Sequence, residues 1–265
     1  YYTNLIYQEK FGSKKHTLMS GLSMRRSVTE EGFSDLIFNR NEFIPGVFSE
    51  YSLNADVTDS KFGYTLGMRL DRYGPYGVRA TPRFSARLQV EDYGTIRASA
   101  GRAYRMPNLI SDNMHFIGMG RYYQIETIGL DVANNYGLSY IQKIFLGGPT
   151  ELNLSIDLYH TYFKNQNIQD IESETRNIIN RYVEQGSRIN YFLVQNQIQL
   201  NPNFGFKVAY KYTDAQYRLA NDQALINRMY LPRHRSLFTL DANSNESIWL
   251  ANFTLQWVGS QRLLD

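Results

Sequence analysis

The chain has no cysteine, which removes disulfides, thiolate catalysis and cysteine metal sites from consideration. It also has no apolar run near the roughly 18 residues that a membrane-crossing helix needs. Its four histidines, His16, His115, His160 and His234, lie far apart, and none has a carboxylate or second histidine at metal-ligand spacing. There is no G-x-S-x-G elbow, no phosphate-binding glycine loop and no H-E-x-x-H. Nothing in these residues requires an enzyme, and no cofactor is expected. Neither sign of charge dominates: 28 basic and 25 acidic residues leave a net charge of +3, too balanced for a nucleic-acid partner. No secretory leader opens the chain, because Tyr1 to Lys10 already has strand character, so the natural N-terminus is expected to lie further upstream.

What the chain does have is alternation at two levels. Segments of about ten residues switch between apolar and polar side chains, the period-2 signature of a strand with two different faces. They are expected at Tyr2–Phe11, His16–Arg25, Gly46–Val57, Lys61–Tyr73, Thr81–Val90, Thr95–Ala103, Val132–Ile144, Thr150–Phe163, Arg188–Leu200, Asn203–Ala215, Arg235–Ala242 and Ile248–Val258. Phe62, Tyr64, Leu66, Met68 and Leu70, for example, interleave with Gly63, Thr65, Gly67 and Arg69. The connections alternate as well. Tight ones fall at Gly12–Lys15, Thr58–Ser60, Glu91–Gly94, Gly147–Pro149, Asn201–Pro202 and Asn243–Ser247, rich in turn-forming residues. Long ones fall at Arg26–Pro45, Gly74–Ala80, Tyr104–Asp131, Lys164–Ser187 and Gln216–His234. Short turns at one end and long loops at the other are the habit of an outer-membrane β-barrel. An aromatic content of 14% with 21 tyrosines fits, since Tyr51, Tyr73, Tyr93, Tyr104, Tyr162, Phe163, Phe204, Trp249 and Trp257 sit near strand ends, where interfacial girdles form. The expected fold is all-β: an antiparallel transmembrane barrel segment of about 12 strands, one domain over residues 1–265.

The run Arg97–Ala98–Ser99–Ala100–Gly101–Arg102–Ala103–Tyr104–Arg105–Met106–Pro107–Asn108–Leu109 resembles the R-x-S-x-G-x-x-[FY]-R-x-P-x-L segment of TonB-dependent outer-membrane receptors. Glu126 followed by Asn135–Tyr136–Gly137–Leu138–Ser139–Tyr140 is similar to that family's next strand. Further similarities lie at Asp157–Gln166, Leu231–Arg235 and Trp257–Leu263, and, with Pro45–Tyr51 and Thr81–Phe84, they look most like receptors of Bacteroidetes-type bacteria. The resemblance implies a larger barrel of about 22 strands, a globular plug and a TonB box that are absent from this sequence, and localisation in the outer membrane. It implies uptake of a scarce solute, an iron chelate or vitamin, driven by TonB. Its partners would be a small-molecule or metal-chelate ligand, the TonB complex acting through the plug, and outer-membrane lipid with lipopolysaccharide. A plugless porin-like diffusion channel is the alternative, and an outer-membrane barrel enzyme, which would need a Ser–His or carboxylate pair at one rim, is a second.

Recognition is expected in the long loops, where variable side chains stand on a rigid scaffold. Arg105, His115, Arg121, Tyr122 and Tyr123 in the longest loop suit an anionic, partly aromatic ligand, because guanidinium pairs with carboxylate or catecholate oxygens and tyrosine stacks or hydrogen-bonds. Arg228 and Tyr230 form a second cluster. The competing reading of the five in the longest loop is that they pack the loop against its neighbours or face lipopolysaccharide phosphates; that of Arg228 and Tyr230 is a structural role in strand entry or in binding surface phosphate. Met114, His115 and Met119 are too loosely spaced to define a soft-metal site.

Overall fold

The computed structural model describes residues 1–12, 15–33, 36–57, 60–90, 93–114, 118, 120–221, 223–244 and 248–264. The strands are β1 (Tyr2–Phe11), β2 (His16–Phe33), β3 (Leu36–Val57), β4 (Ser60–Arg72), β5 (Val78–Val90), β6 (Gly94–Arg105), β7 (Tyr122–Ile125), β8 (Asp131–Gly147), β9 (Thr150–Asp170), β10 (Asn177–Asn201), β11 (Phe204–Tyr217), β12 (Ile226–Asn227), β13 (His234–Asn243) and β14 (Leu250–Val258). All belong to one 14-stranded sheet. Twelve follow one another as antiparallel neighbours from β1 to β14, while β7 and β12 add short pairings to β10 and β11. Because direction reverses at each step of this meander, the chain passes from strand to strand alternately at one end of the sheet and at the other, short connections at the first and longer ones at the second. Two of the turns show their chemistry directly: Gly12 takes φ 57° and its carbonyl accepts from the Lys15 N–H at 3.1 Å, and Gly147 and Gly148 sit at φ 103° and 57°. Such angles favour glycine, which has no Cβ to clash.

Cross-strand register sorts the side chains into two faces. Tyr51, Leu66, Phe84 and Ala100 form one row, and the next row is Ser52, Thr65, Ser85 and Ser99. The apolar rows continue through Phe62, Leu88, Ile96, Tyr140, Ile156 and Val194. On this face Leu66 is 50% exposed, and Leu70, Leu138, Leu158, Val208 and Phe253 are exposed too. A soluble protein rarely shows an apolar patch of that extent; hydrocarbon is the solvent that suits it. The opposite face is mostly polar, with Ser52 and Thr65 hydroxyls 2.9 Å apart and Ser139 donating to Asp157 at 2.7 Å. A cavity of about 860 Å³, lined from β3 to β9, opens over this face, whose polar side chains suit the water-filled lumen of a membrane barrel. Phe62, Tyr64, Leu66, Met68 and Leu70 therefore face outward, and Thr65, Gly67 and Arg69 inward. Arg69 is held by Asp71 at 2.6 Å and donates to Ser23 at 2.8 Å.

The long connections differ from expectation. Residues 26–45 continue β2 and β3 as a ladder from Arg26↔Phe43 to Phe33↔Leu36, and residues 164–187 are mostly the far ends of β9 and β10. β9 has 21 residues and β10 has 25, about twice the 9–11 that cross a bilayer, so both stand well clear of it. Residues 104–131 contain β7, residues 216–234 contain β12, and residues 74–80 include a single 3-10 turn at Gly74–Tyr76 and the start of β5. The first strand residue of β14 is Leu250, after Ile248 and Trp249. Phe163, expected at an interface, lines a cavity on the lumen side. The turn expectations at 13–14, 58–59, 91–92 and 245–247 lie outside the described residues. The wall has lipid on one side and water on the other, so the tightly packed apolar cluster sits elsewhere: Ile110, Tyr123, Ile171, Ile178 and Met229 pack together among the long connections.

Candidate functional site

The connection between β6 and β8 is the organising piece of the loop end. Near its start, the Glu31 carboxylate on β2 accepts from the Leu109 N–H at 3.0 Å, the Ser111 N–H at 3.0 Å and the Ser111 hydroxyl at 2.8 Å. Arg40 on β3 donates to the Pro107 carbonyl at 2.5 Å and to Asn108 Oδ1 at 2.7 Å. Further on, β7 runs parallel to β10, pairing Tyr122 with Asn177 and Ile125 with Asn180. Asn180, fully buried, donates to the Thr127 carbonyl at 2.7 Å. The connection thus bridges from β2 and β3 to β10, elements separated in the sheet by five strands.

A second knot ties the β9–β10 hairpin to the end of the chain. Arg262 pairs with both oxygens of Glu172 and donates to the Asn227 carbonyl at 3.0 Å. Tyr217 donates to Glu172 at 2.5 Å; burial, with that carboxylate beside it, pushes the Tyr217 phenol up. Inside the hairpin, the fully buried Asp170 faces Arg181 at 3.5 Å and accepts from the Glu172 and Ser173 N–H groups at 3.0 and 2.9 Å.

The expected recognition residues separate into two groups in this setting. Arg105, at the end of β6, pairs with Asp112 seven residues on. Arg121 donates to the Ile171 carbonyl at 2.7 Å. Tyr123 is 7% exposed, and its hydroxyl contacts the Leu109 carbonyl at 3.1 Å and Gln169 at 2.9 Å. These three side chains hold the loops together. Tyr122, on the other face of β7, is 78% exposed, while Arg228 and Tyr230 line a cavity of about 150 Å³ with Asn113, Gln166, Gln169 and Tyr217. His115 lies outside the described residues, as does Met119. Tyr230 has φ 56°, a left-handed conformation that is strained for a bulky side chain and clusters at ligand sites. Sequence reasoning missed Glu31, Arg40, Asp170, Glu172, Arg181 and Arg262; their signal is burial of charge, which appears only once distant segments meet.

Burial pushes the Tyr123 phenol up to about 12. Because the folded state holds this proton more tightly than the unfolded chain, the stabilisation is present below about pH 10 and is lost as pH rises towards 12. A phenolate absorbance titration of wild type minus Tyr123→Phe is expected to show this tyrosine ionising well above the ordinary phenol range, with loosening of the loop cluster in the same window; ionisation near pH 10 would mean that the ring is open to water.

Among the described residues, no group of His, Cys, Asp and Glu comes together with metal-holding geometry. His16 bonds Tyr51 at 2.6 Å, His160 bonds Asn190 at 2.7 Å and His234 bonds Tyr210 at 2.7 Å, each separately. A search of curated proteins finds no match to this sequence. Among solved structures, the FrpB iron transporter from Neisseria meningitidis superposes with a TM-score of 0.58 at 11% identity, over 96% of this chain and 42% of that one. The siderophore receptor PirA from Pseudomonas aeruginosa gives 0.58 at 14% identity, over 97% and 49%. The ferric enterobactin receptor PfeA from Pseudomonas aeruginosa, in a mutant form, gives 0.62 at 15% identity, over 99% and 41%. The chain spans less than half the length of each, and at these identities the likeness is one of fold. The sequence model described as TonB dependent receptor-like, β-barrel, matches residues 2–265. With every strand of the sheet inside that match, the chain belongs to the TonB-dependent receptor-like β-barrel family, whose strands cross the outer membrane.

Proposed function

We propose that the chain forms part of the wall and outer loops of an outer-membrane receptor that takes up a scarce solute, such as an iron chelate or vitamin, with energy from TonB. The observation that carries this reading is the pairing of two features: a polar lumen wall, and a loop end where Arg228, Tyr230 and the exposed Tyr122 remain available while their neighbours are committed to packing. An arginine beside tyrosines at a cavity rim suits an anionic chelate, whose oxygens accept from the guanidinium. The solved neighbours support the class of cargo, since among them are an iron transporter, a siderophore receptor and a copper transporter. The plug and the TonB complex would act on the full-length protein, and lipid with lipopolysaccharide would surround the apolar face.

Uptake of a labelled ferric chelate by cells making the full-length protein should depend on TonB; equal uptake without TonB would favour a diffusion channel. In binding assays, Arg228→Ala should weaken affinity about tenfold to a hundredfold, as loss of a charge-assisted hydrogen bond does. Tyr230→Phe, which leaves the backbone strain in place, should weaken it by less. Arg105→Ala should leave affinity unchanged, since its guanidinium is taken by Asp112. Unchanged affinity in both cavity variants would remove the loop cavity from the binding site.

A further inference from the structure

Arg87 on β5 and Arg97 on β6 are direct cross-strand partners. Such partners have Cα atoms about 4.5–5.5 Å apart, and like charges in this relation destabilise a sheet. Both side chains are exposed, and both line the cavity of about 860 Å³ on the lumen side. Neither has an ion pair among the described residues. Their flanking positions in the same row offer no relief: Gly63 lies beyond Arg87, and Ser139 lies beyond Arg97. The carboxylate next in that row, Asp157, is occupied by Ser139 at 2.7 Å and Ser155 at 3.3 Å. Lys61 adds a third positive charge to the cavity lining, and Ser85 and Ser99 present hydroxyls one row away. The pair stands about three residues, or roughly 10 Å, from the β5–β6 turn, so it is remote from the loop cavity at the opposite end.

We propose that Arg87 and Arg97 form an oxyanion site on the lumen wall, binding a carboxylate or phosphate group between the two guanidiniums. Guanidiniums on adjacent cross-strand positions can both donate N–H groups to one such anion, and the bound anion cancels the repulsion that the empty pair carries. The anion has two sources: a diffusing solute in the lumen, or, on the proposed function above, an acidic side chain of the plug that would fill the lumen. The geometry of the site is the same for both.

The test uses full-length protein in detergent, with inorganic phosphate as the probe, and compares wild type with Arg87→Gln and Arg97→Gln. If the site is open to solutes, phosphate binds wild type, each substitution raises its Kd about tenfold or more, and Arg87→Lys recovers part of the loss. If an acidic side chain of the protein occupies the site, phosphate does not bind. Both glutamine variants then lower the temperature of the heat-modifiable gel transition and expose the lumen-filling segment to protease. Phosphate binding of equal strength in wild type and variants would overturn the proposal. So would variants that match wild type in every readout, or that are more stable than it with and without phosphate, since the pair would then be only two repelling charges.

Discussion

Arg181→Ala is expected to open the tip of the β9–β10 hairpin. Asp170 is 0% exposed and Arg181 is its ion-pair partner at 3.5 Å. Removing one partner of a buried pair leaves an uncompensated charge, at a cost of about 3–5 kcal/mol. Repair by water would require the hairpin tip to separate from the connection that packs on it, where Glu126 also meets Arg181 at 3.2 Å. The measurable result is fast hydrogen exchange at the Glu172 and Ser173 amides, which Asp170 accepts from in the wild type. Asp170→Asn keeps a carbonyl acceptor for those amides and removes the charge, so the double variant Asp170→Asn, Arg181→Ala should be less open than Arg181→Ala alone. Equal exchange in Arg181→Ala and wild type would show that the pair contributes nothing to the hairpin.

Leu66→Arg and Thr65→Arg should have opposite outcomes although the positions are adjacent. Leu66 lies near the centre of β4 on the outward row with Tyr51 and Phe84. An arginine facing lipid at that depth costs about 2–4 kcal/mol, enough to reduce the folded, heat-modifiable form markedly. Thr65 faces the lumen cavity, where an arginine stays hydrated; the loss is limited to its hydrogen bond with Ser52. Assembly of Leu66→Arg together with failure of Thr65→Arg would mean the strand is one residue out of register, since a single-residue slip exchanges the two faces.

The membrane-crossing part of the fold was legible because lipid and water impose opposite demands on successive residues. Phe62 to Leu70 shows the pattern without any knowledge of partners. Beyond the membrane that demand ends. Arg26 to Glu31 are nearly all polar, so the extension of β2 has no apolar face and resembles a loop, although it is a regular ladder. β7 is four residues long and pairs with a strand distant in sequence, which no local pattern reports. The candidate site was legible only as a composition of arginine and tyrosine. Tyr122 and Tyr123 look alike in sequence; as neighbours on a strand they point to opposite faces, and only the position of β10 decides which one is buried. Arg121 and Arg228 are alike in the same way, and the difference between them is a carbonyl at Ile171 that folding brings within 2.7 Å.

The bridging connection between β6 and β8 also sets an order of events. Its contacts join residues far apart in the chain, 78 positions from Glu31 to Leu109 and 55 from Thr127 to Tyr182, whereas each hairpin of the meander closes locally. Closing long loops costs more entropy, and non-local pairing is slow to form. β7 has nothing to pair with until β10 is in place, so this segment must wait, unpaired, while β8, β9 and β10 join the sheet. The hairpins would then insert first and the external cap would lock last, leaving a barrel that is already in the membrane with its mouth still open. In pulse-labelling of assembly, the amides of Tyr122 to Ile125 would become protected after those of the β8–β9 hairpin.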